Sequence, residues 1–241
     1  MKILVLLLAT LKWGKLLTTG GTMLVSIAVY ALLFRDWRFA AGFVGLMLVH
    51  ELGHYVAARQ RGLHVGGMFF IPFVGAAVTL KDGFSNVRTQ AYVAIAGPLA
   101  GTIAAVACYL LGRYTDTPLL IALAYMGLFL NLFNLLPLPM LDGGQITAIL
   151  SPRVWLVGAP LLVAVMLYRP SPVLILVAIV SLPQLVKAWN YDPKAPENAA
   201  YYDVPLQAKL EYGGLYFALT AYLAVMTYEL HETLQTSRLV S

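Results

Sequence analysis

His50-Glu51-Leu52-Gly53-His54 lies inside an otherwise apolar segment running from Phe39 to Ala58. On a helix, positions i and i+4 share a face, so His50 and His54 can offer two imidazoles to one metal ion, with Glu51 beside them as a base. That is the arrangement with which zinc hydrolases hold their metal and activate water. Capping or interhelical hydrogen bonding is the plainer reading of the same residues. In hydrocarbon, however, each ionisable group costs about 2.5 kcal/mol or more unless it is paired or put to use, which favours the metal.

Two histidines do not complete such a centre, because a catalytic zinc takes three protein ligands and leaves the fourth position for water. Asp142 is the acidic candidate that stands out. It follows Pro137 and Pro139 and precedes Gly143-Gly144, a break where the backbone can bend a carboxylate into a cavity. An ordinary interfacial Asp-Gly turn is the other reading. Glu197, Glu211, Glu229 and Glu232 would serve a different kind of HExxH enzyme, one with a downstream glutamate ligand, but they sit in or near the last loop and span without a comparable setting. His64 and His231 lack partners at ligand spacing.

The elements that must position these residues are membrane spans. Hydrophobic residues make up 60% of the chain and charged ones 11%, with a mean hydropathy of +0.78, far more apolar than a soluble domain. The fold class expected is an all-α integral membrane protein, a polytopic bundle of about six to seven transmembrane helices forming a single domain over residues 1–241. Spans are expected at about Leu16–Phe34, Phe39–Ala58, Ala91–Gly112, Pro118–Leu136, Trp155–Tyr168, Val173–Trp189 and Lys209–Leu230, the fifth of them short. Met1–Thr10 begins like a signal peptide but lacks a small-residue cleavage site, and is expected to be retained as a short interfacial or re-entrant segment. Asn190–Pro205 reads as a loop with interfacial aromatics. The formal charge of +5 does not indicate nucleic acid, since the basic residues stand singly between apolar runs. The lone Cys108 sits within an apolar run and reads as a small buried hydrophobe.

The segment from Gly62 to Arg88 is different in kind. Its apolar stretch, Met68 to Leu80, is too short for a span, is broken by Pro72 and Gly75, and becomes β-branched towards its end. A membrane-associated β-hairpin or re-entrant loop is expected, serving either as an edge strand that pairs with an extended substrate through Gly75, Ala76, Ala77 and Val78, or as a packing plug. Small residues at Gly97 and Gly101 in Ala96-Gly97-Pro98-Leu99-Ala100-Gly101 have the spacing that lets helices approach closely, and the HExxH helix is the expected neighbour. With a cytoplasmic N-terminus and seven spans, eleven of the sixteen Lys and Arg residues fall inside, which places the HExxH in the cytoplasmic half of the bilayer.

The chain resembles the site-2 protease family of intramembrane zinc metalloproteases, in a minimal form. The resemblance rests on His50 to His54 and on Asn134-Leu135-Leu136-Pro137-Leu138-Pro139-Met140-Leu141-Asp142-Gly143-Gly144, which matches that family's NxxPxPxLDGG pattern without a gap. The Ala96 to Gly101 run and the apolar loop are also similar, so the resemblance covers a catalytic core of about residues 39–150. It implies that His50, His54 and Asp142 bind one Zn2+ and that Glu51 is the catalytic base, with Asn134 as a polar helper. Asn131, one turn earlier, shares that role or bonds between helices. Pro137 and Pro139 join the hairpin residues as substrate contacts.

The same resemblance implies a membrane-anchored protein substrate cleavable in or near its transmembrane segment, pre-cut in some cases by another protease. There is no room for a PDZ insertion or a pair of CBS motifs. A prokaryotic plasma membrane is the default location, given no organelle signal. The rival reading is a membrane metal-binding protein or metal transporter without proteolytic activity. A transporter should spread its ligands over several helices as a path, whereas here they concentrate on one site. A catalytically silent scaffold carries the same motifs.

Overall fold

The structure, a computed structural model, describes the backbone of residues 2–240 apart from 74 and 169, and the side chains of residues 18–235 apart from those two and 197. The elements in chain order are α1 (Lys2–Phe34), α2 (Trp37–Gln60), β1 (Val65–Ile71), β2 (Gly75–Leu80), α3 (Val87–Tyr114), α4 (Pro118–Asn134), α5 (Asp142–Thr147), a 3-10 turn at Pro152–Val154, α6 (Trp155–Tyr168), α7 (Pro172–Trp189), α8 (Pro196–Tyr202) and α9 (Leu206–Val240).

Local chemistry sets the boundaries. The Asp36 carboxylate accepts from the backbone N–H groups of Arg38 (2.8 Å) and Phe39 (3.2 Å) and so starts α2, while Asn86 starts α3 by accepting from Thr89 N–H at 2.8 Å. Pro118 and Pro172 occupy first-turn positions, where the missing N–H costs nothing. Pro137 and Pro139 close α4, and the chain turns through Leu138–Leu141 into α5.

Among the described residues, three helices are both long and apolar enough to cross a membrane: α2, α3 and α7. Thr18–Phe34, Pro118–Asn134 and Pro152–Tyr168 are apolar but shorter. At 14 residues α6 rises only about 21 Å, as its expected brevity implied. Large apolar side chains such as Leu32, Ile103 and Leu167 face outwards, the surface of a protein whose solvent is lipid.

Two expectations are corrected. The N-terminal segment is not a separate interfacial piece, because α1 runs unbroken from Lys2 to Phe34; no proline interrupts it, and Gly14, Gly20 and Gly21 are tolerated within a helix. The expected loop at 190–205 contains the short helix α8, begun by Pro196.

The centre of the fold is α3, which packs against α2 on one side and α4 on the other. Ala91, Ala94, Ala105, Ala124 and Leu128 fill the space between α3 and α4, and Tyr212, Tyr216 and Leu223 of α9 close the same cluster from outside. Helices α6 and α7 pair with each other and meet the loop before α5 through Leu138, Leu141, Leu162 and Leu174.

Of the alternatives for residues 62–88, the hairpin is the one formed. β1 and β2 pair antiparallel, with Met68 opposite Val78 and Phe70 opposite Ala76. The outer edge of β1 is taken by α1: Thr19 Oγ1 donates to Met68 O (2.8 Å), Phe70 N–H donates to Thr22 Oγ1 (3.3 Å), and Phe73 N–H donates to the Tyr30 hydroxyl (3.0 Å). That last bond holds the turn where Phe73 adopts a positive φ of 66°. Because Met68 and Phe70 turn their backbone groups towards α1, antiparallel alternation turns those of their partners Val78 and Ala76 to the other edge, which faces α2.

Candidate metal centre

His50 and His54 project from one face of α2, as their spacing requires, towards the start of α5. The Nδ1–H of His50 donates to Asn131 Oδ1 at 2.9 Å. The orientation of that amide is fixed by Asn131 Nδ2, which donates to Gly127 O at 2.7 Å one turn earlier on α4. The Nδ1–H of His54 donates to the backbone carbonyl of Val93 on α3, at 2.8 Å. Both rings therefore carry their proton on Nδ1 and present bare Nε2 lone pairs to the same point.

At that point stands Asp142, first residue of α5. Its Oδ2 lies 3.0 Å from His50 Nε2 and its Oδ1 lies 3.3 Å from His54 Nε2, while the two Nε2 atoms are 3.1 Å apart. Four lone-pair atoms converge with no proton assigned between them by the outer hydrogen bonds. A cation resolves that conflict. Ligands about 2.0–2.1 Å from a tetrahedral zinc stand about 3.3 Å from one another, close to the separations observed. Among the described residues, His50, His54 and Asp142 are the group placed to hold a metal ion.

Glycines make the assembly possible. A Cβ on Gly97 would run into the His54 imidazole, and one on Gly101 would run into the Asn131 amide, so the two glycines of the Ala96–Gly101 run let α3 lie against both groups. Gly53 between the histidines abuts the carbonyl of Ala96, which brings α2 equally close. A Cβ on Gly143 would meet Leu135 O and one on Gly144 would meet Leu138 O, so the Asp142-Gly143-Gly144 sequence is what lets α5 press against the loop that precedes it. Trp155 Nε1–H donates to Gly144 O at 2.7 Å, and Tyr216 donates to Leu135 O at 2.8 Å, fixing both sides of that contact.

Further support comes from outside the bilayer-crossing helices. Tyr201 on α8 donates to Gln90 Oε1 at 2.6 Å, and Gln90 Nε2 donates to Gln145 Oε1 at 2.9 Å, one turn beyond Asp142. Burial, with Tyr202 adding to it, pushes the Tyr201 phenol up to about 12, so it remains a donor at neutral pH.

Glu51 is buried on α2 beside the histidines, and β2 packs against that helix. Gly75, Ala76 and Val78 are half-buried and Ala77 is exposed. Asn134 is half-buried at the end of α4 and makes no side-chain hydrogen bond among the described residues, whereas Asn131 is fully engaged. Pro137 is half-buried and Pro139 is buried in the loop that carries α5. Glu211, Glu229 and Glu232 are exposed on α9 and take no part in the group; the side chain of Glu197 lies outside the described residues.

The sequence did not point to the Val93 carbonyl as a partner, since any residue supplies one. The signal nearest to it is Pro98, which removes the N–H due to Ala94 O and loosens the helix at that turn.

Residues 38–118 match the model of peptidase family M50. The chain is 33% identical over 117 residues to zinc metalloprotease MJ0392 of Methanocaldococcus jannaschii, covering 46% of this chain and 33% of that protein. It is 33% identical over 154 residues to putative zinc metalloprotease sll0528 of Synechocystis sp., covering 59% and 38%. It is also 36% identical over 123 residues to putative zinc metalloprotease Rip3 of Mycobacterium tuberculosis, covering 46% and 31%. The chain spans about a third of the length of these curated relatives.

Proposed function

We propose that this chain, whose residues 38–118 match the model of peptidase family M50, is an intramembrane zinc metalloprotease that hydrolyses peptide bonds in or near the transmembrane segments of membrane-anchored proteins. The observation that carries this reading is the convergence of the His50, His54 and Asp142 lone pairs next to the buried Glu51. Zinc held by these three residues supplies Lewis acidity to water and to the scissile carbonyl. Glu51 takes the proton from the attacking water and returns it to the leaving amine. Asn131 and the Val93 carbonyl hold the two imidazoles in the tautomer that keeps Nε2 free. Asn134, with an amide uncommitted within the protein, hydrogen-bonds the substrate backbone or the oxyanion that develops on it.

A helical peptide bond is shielded, so the substrate must be extended to react. The edge of β2 from Gly75 to Val78, turned towards α2, accepts such a strand by backbone pairing, and Pro137 is a further substrate contact. In this reading the chain crosses the bilayer six to seven times, with its N-terminus and zinc centre towards the cytoplasm of a prokaryotic cell. The excess of Lys and Arg on that side supports this orientation.

The test is cleavage of a panel of model transmembrane substrates in lipid nanodiscs, with zinc measured in the same preparations. Wild type should cleave, and Glu51→Gln should lose cleavage while keeping its zinc. Asp142→Asn should lose zinc. Metal flux across liposomes without cleavage of any substrate would overturn the proposal.

A further inference from the structure

On the lipid-facing side of the metal centre, α2 and α3 border an open groove of about 460 Å3 whose wall is almost wholly apolar. It runs along α2 from Val49 to Gln60, eleven residue steps and therefore about 16 Å. That is about half of a 30 Å hydrocarbon core, the depth of one leaflet. The groove is long enough to seat one acyl chain of the adjoining leaflet along α2 and α3.

Its two ends differ. At Val49 it is bounded by apolar side chains only. At the other end the Tyr92 hydroxyl donates to Gln60 Oε1 at 2.6 Å, and the Arg61 guanidinium lies over the Tyr92 ring at 3.9 Å from its centre. Arg61 is exposed there and, among the described residues, has no carboxylate partner. A cation held at the headgroup end of an apolar groove one leaflet deep is complementary to a phosphate attached to an acyl chain.

We propose that the α2–α3 groove binds one acyl chain of an anionic phospholipid whose headgroup is held by Arg61. The floor of the groove includes Gly53 and Ala96, the residues immediately before His54 and Gly97. The bound chain therefore packs on the two helices at the level where a metal ligand and the glycine supporting it meet.

Native mass spectrometry of the intact chain released from nanodiscs of phosphatidylglycerol or of phosphatidylcholine tests the idea. Wild type should retain one phosphatidylglycerol per chain and hold it about tenfold better than phosphatidylcholine. Arg61→Glu, at an exposed position, should abolish that preference. Val56→Trp, which adds bulk to the groove wall at a half-exposed position, should release both lipids. Zinc content, expected to be unchanged, reports that both variants are folded, and it separates failure of this proposal from failure of the metal site. Retention of phosphatidylglycerol by Val56→Trp, or an unchanged preference in Arg61→Glu, would overturn the proposal. So would loss of binding of a labelled transmembrane peptide in Val56→Trp with lipid retention intact, since the groove would then be taking a helix.

Discussion

Gly97 lies against the imidazole of His54 so closely that a Cβ on it would overlap Nε2, the atom that faces Asp142. The helix partner of the HExxH segment is thus selected for what it lacks. Gly101, one turn on, stands in the same relation to the amide of Asn131, which orients His50. One face of α3 therefore governs both imidazoles, His54 directly and His50 through Asn131.

Gly97→Ala should push the His54 ring off the point where it meets His50 and Asp142. Displacing a ligand or the group that orients it costs about 10–100-fold in metal affinity, and a loss of that size is expected in zinc titrations of the purified variant. Gly45→Ala on α2, where an added Cβ would meet nothing within 4 Å, is the matched control and should bind zinc as wild type does. Equal affinities for the two variants would show that the helices part without cost.

Asn131 and Asn134 should separate cleanly. Asn131→Ala removes the acceptor for His50 Nδ1–H and frees the ring to rotate, so zinc affinity should fall about 10–100-fold and activity with it, recovering partly in excess zinc. Asn134→Ala should keep zinc and lose turnover by about 100-fold or more, the usual effect of deleting a donor to a developing oxyanion. Loss of zinc in Asn134→Ala, or unaltered turnover, would remove it from the reaction.

How far these roles were legible in the sequence depended on whether a side chain or a backbone atom carries them. His50 and His54 were legible because helical spacing alone puts them on one face, and Asp142 because prolines and glycines mark the only kind of chain break that delivers a carboxylate sideways. The two asparagines lie three residues apart on α4 and share a face, so spacing cannot say which meets His50. The structure decides it through Gly101, whose missing side chain admits Asn131. The Val93 carbonyl was invisible because backbone acceptors have no sequence signature. The course of α1 was misread because an apolar run interrupted by Lys12 and Lys15 resembles two segments, while helix continuity depends on the backbone, and no proline intervenes.

Removal of the metal should destabilise the whole centre, since it leaves the lone pairs of two imidazoles and a carboxylate 3.0–3.3 Å apart. A ligand at a thousand times its Kd contributes about 4 kcal/mol to the folded state. For a chain of this size, chelation should lower the unfolding temperature by on the order of 10 °C, restored by adding zinc back. An unfolding temperature indifferent to chelator in a preparation shown to lose its zinc would mean that the centre is held together by its surroundings alone.

Val78 offers the sharpest test of how a substrate is held. Its backbone N–H points away from β1, as the pairing of Met68 with Val78 and the bond from Thr19 to Met68 together require, towards the edge that faces α2. Proline is tolerated where a strand's N–H faces outwards, so Val78→Pro should leave the hairpin and the zinc content intact while deleting that one donor. An extended substrate paired along this edge then loses a hydrogen bond of about 0.5–1.5 kcal/mol, and KM should rise by about twofold to tenfold. Ala77→Pro is the contrast: Ala77 is paired opposite Phe69, and its N–H faces β1, so that variant should unsettle the hairpin itself and lower stability. An unchanged KM in Val78→Pro would mean that the substrate reaches Glu51 without pairing to β2, and the edge would then be a wall of the site and not a template.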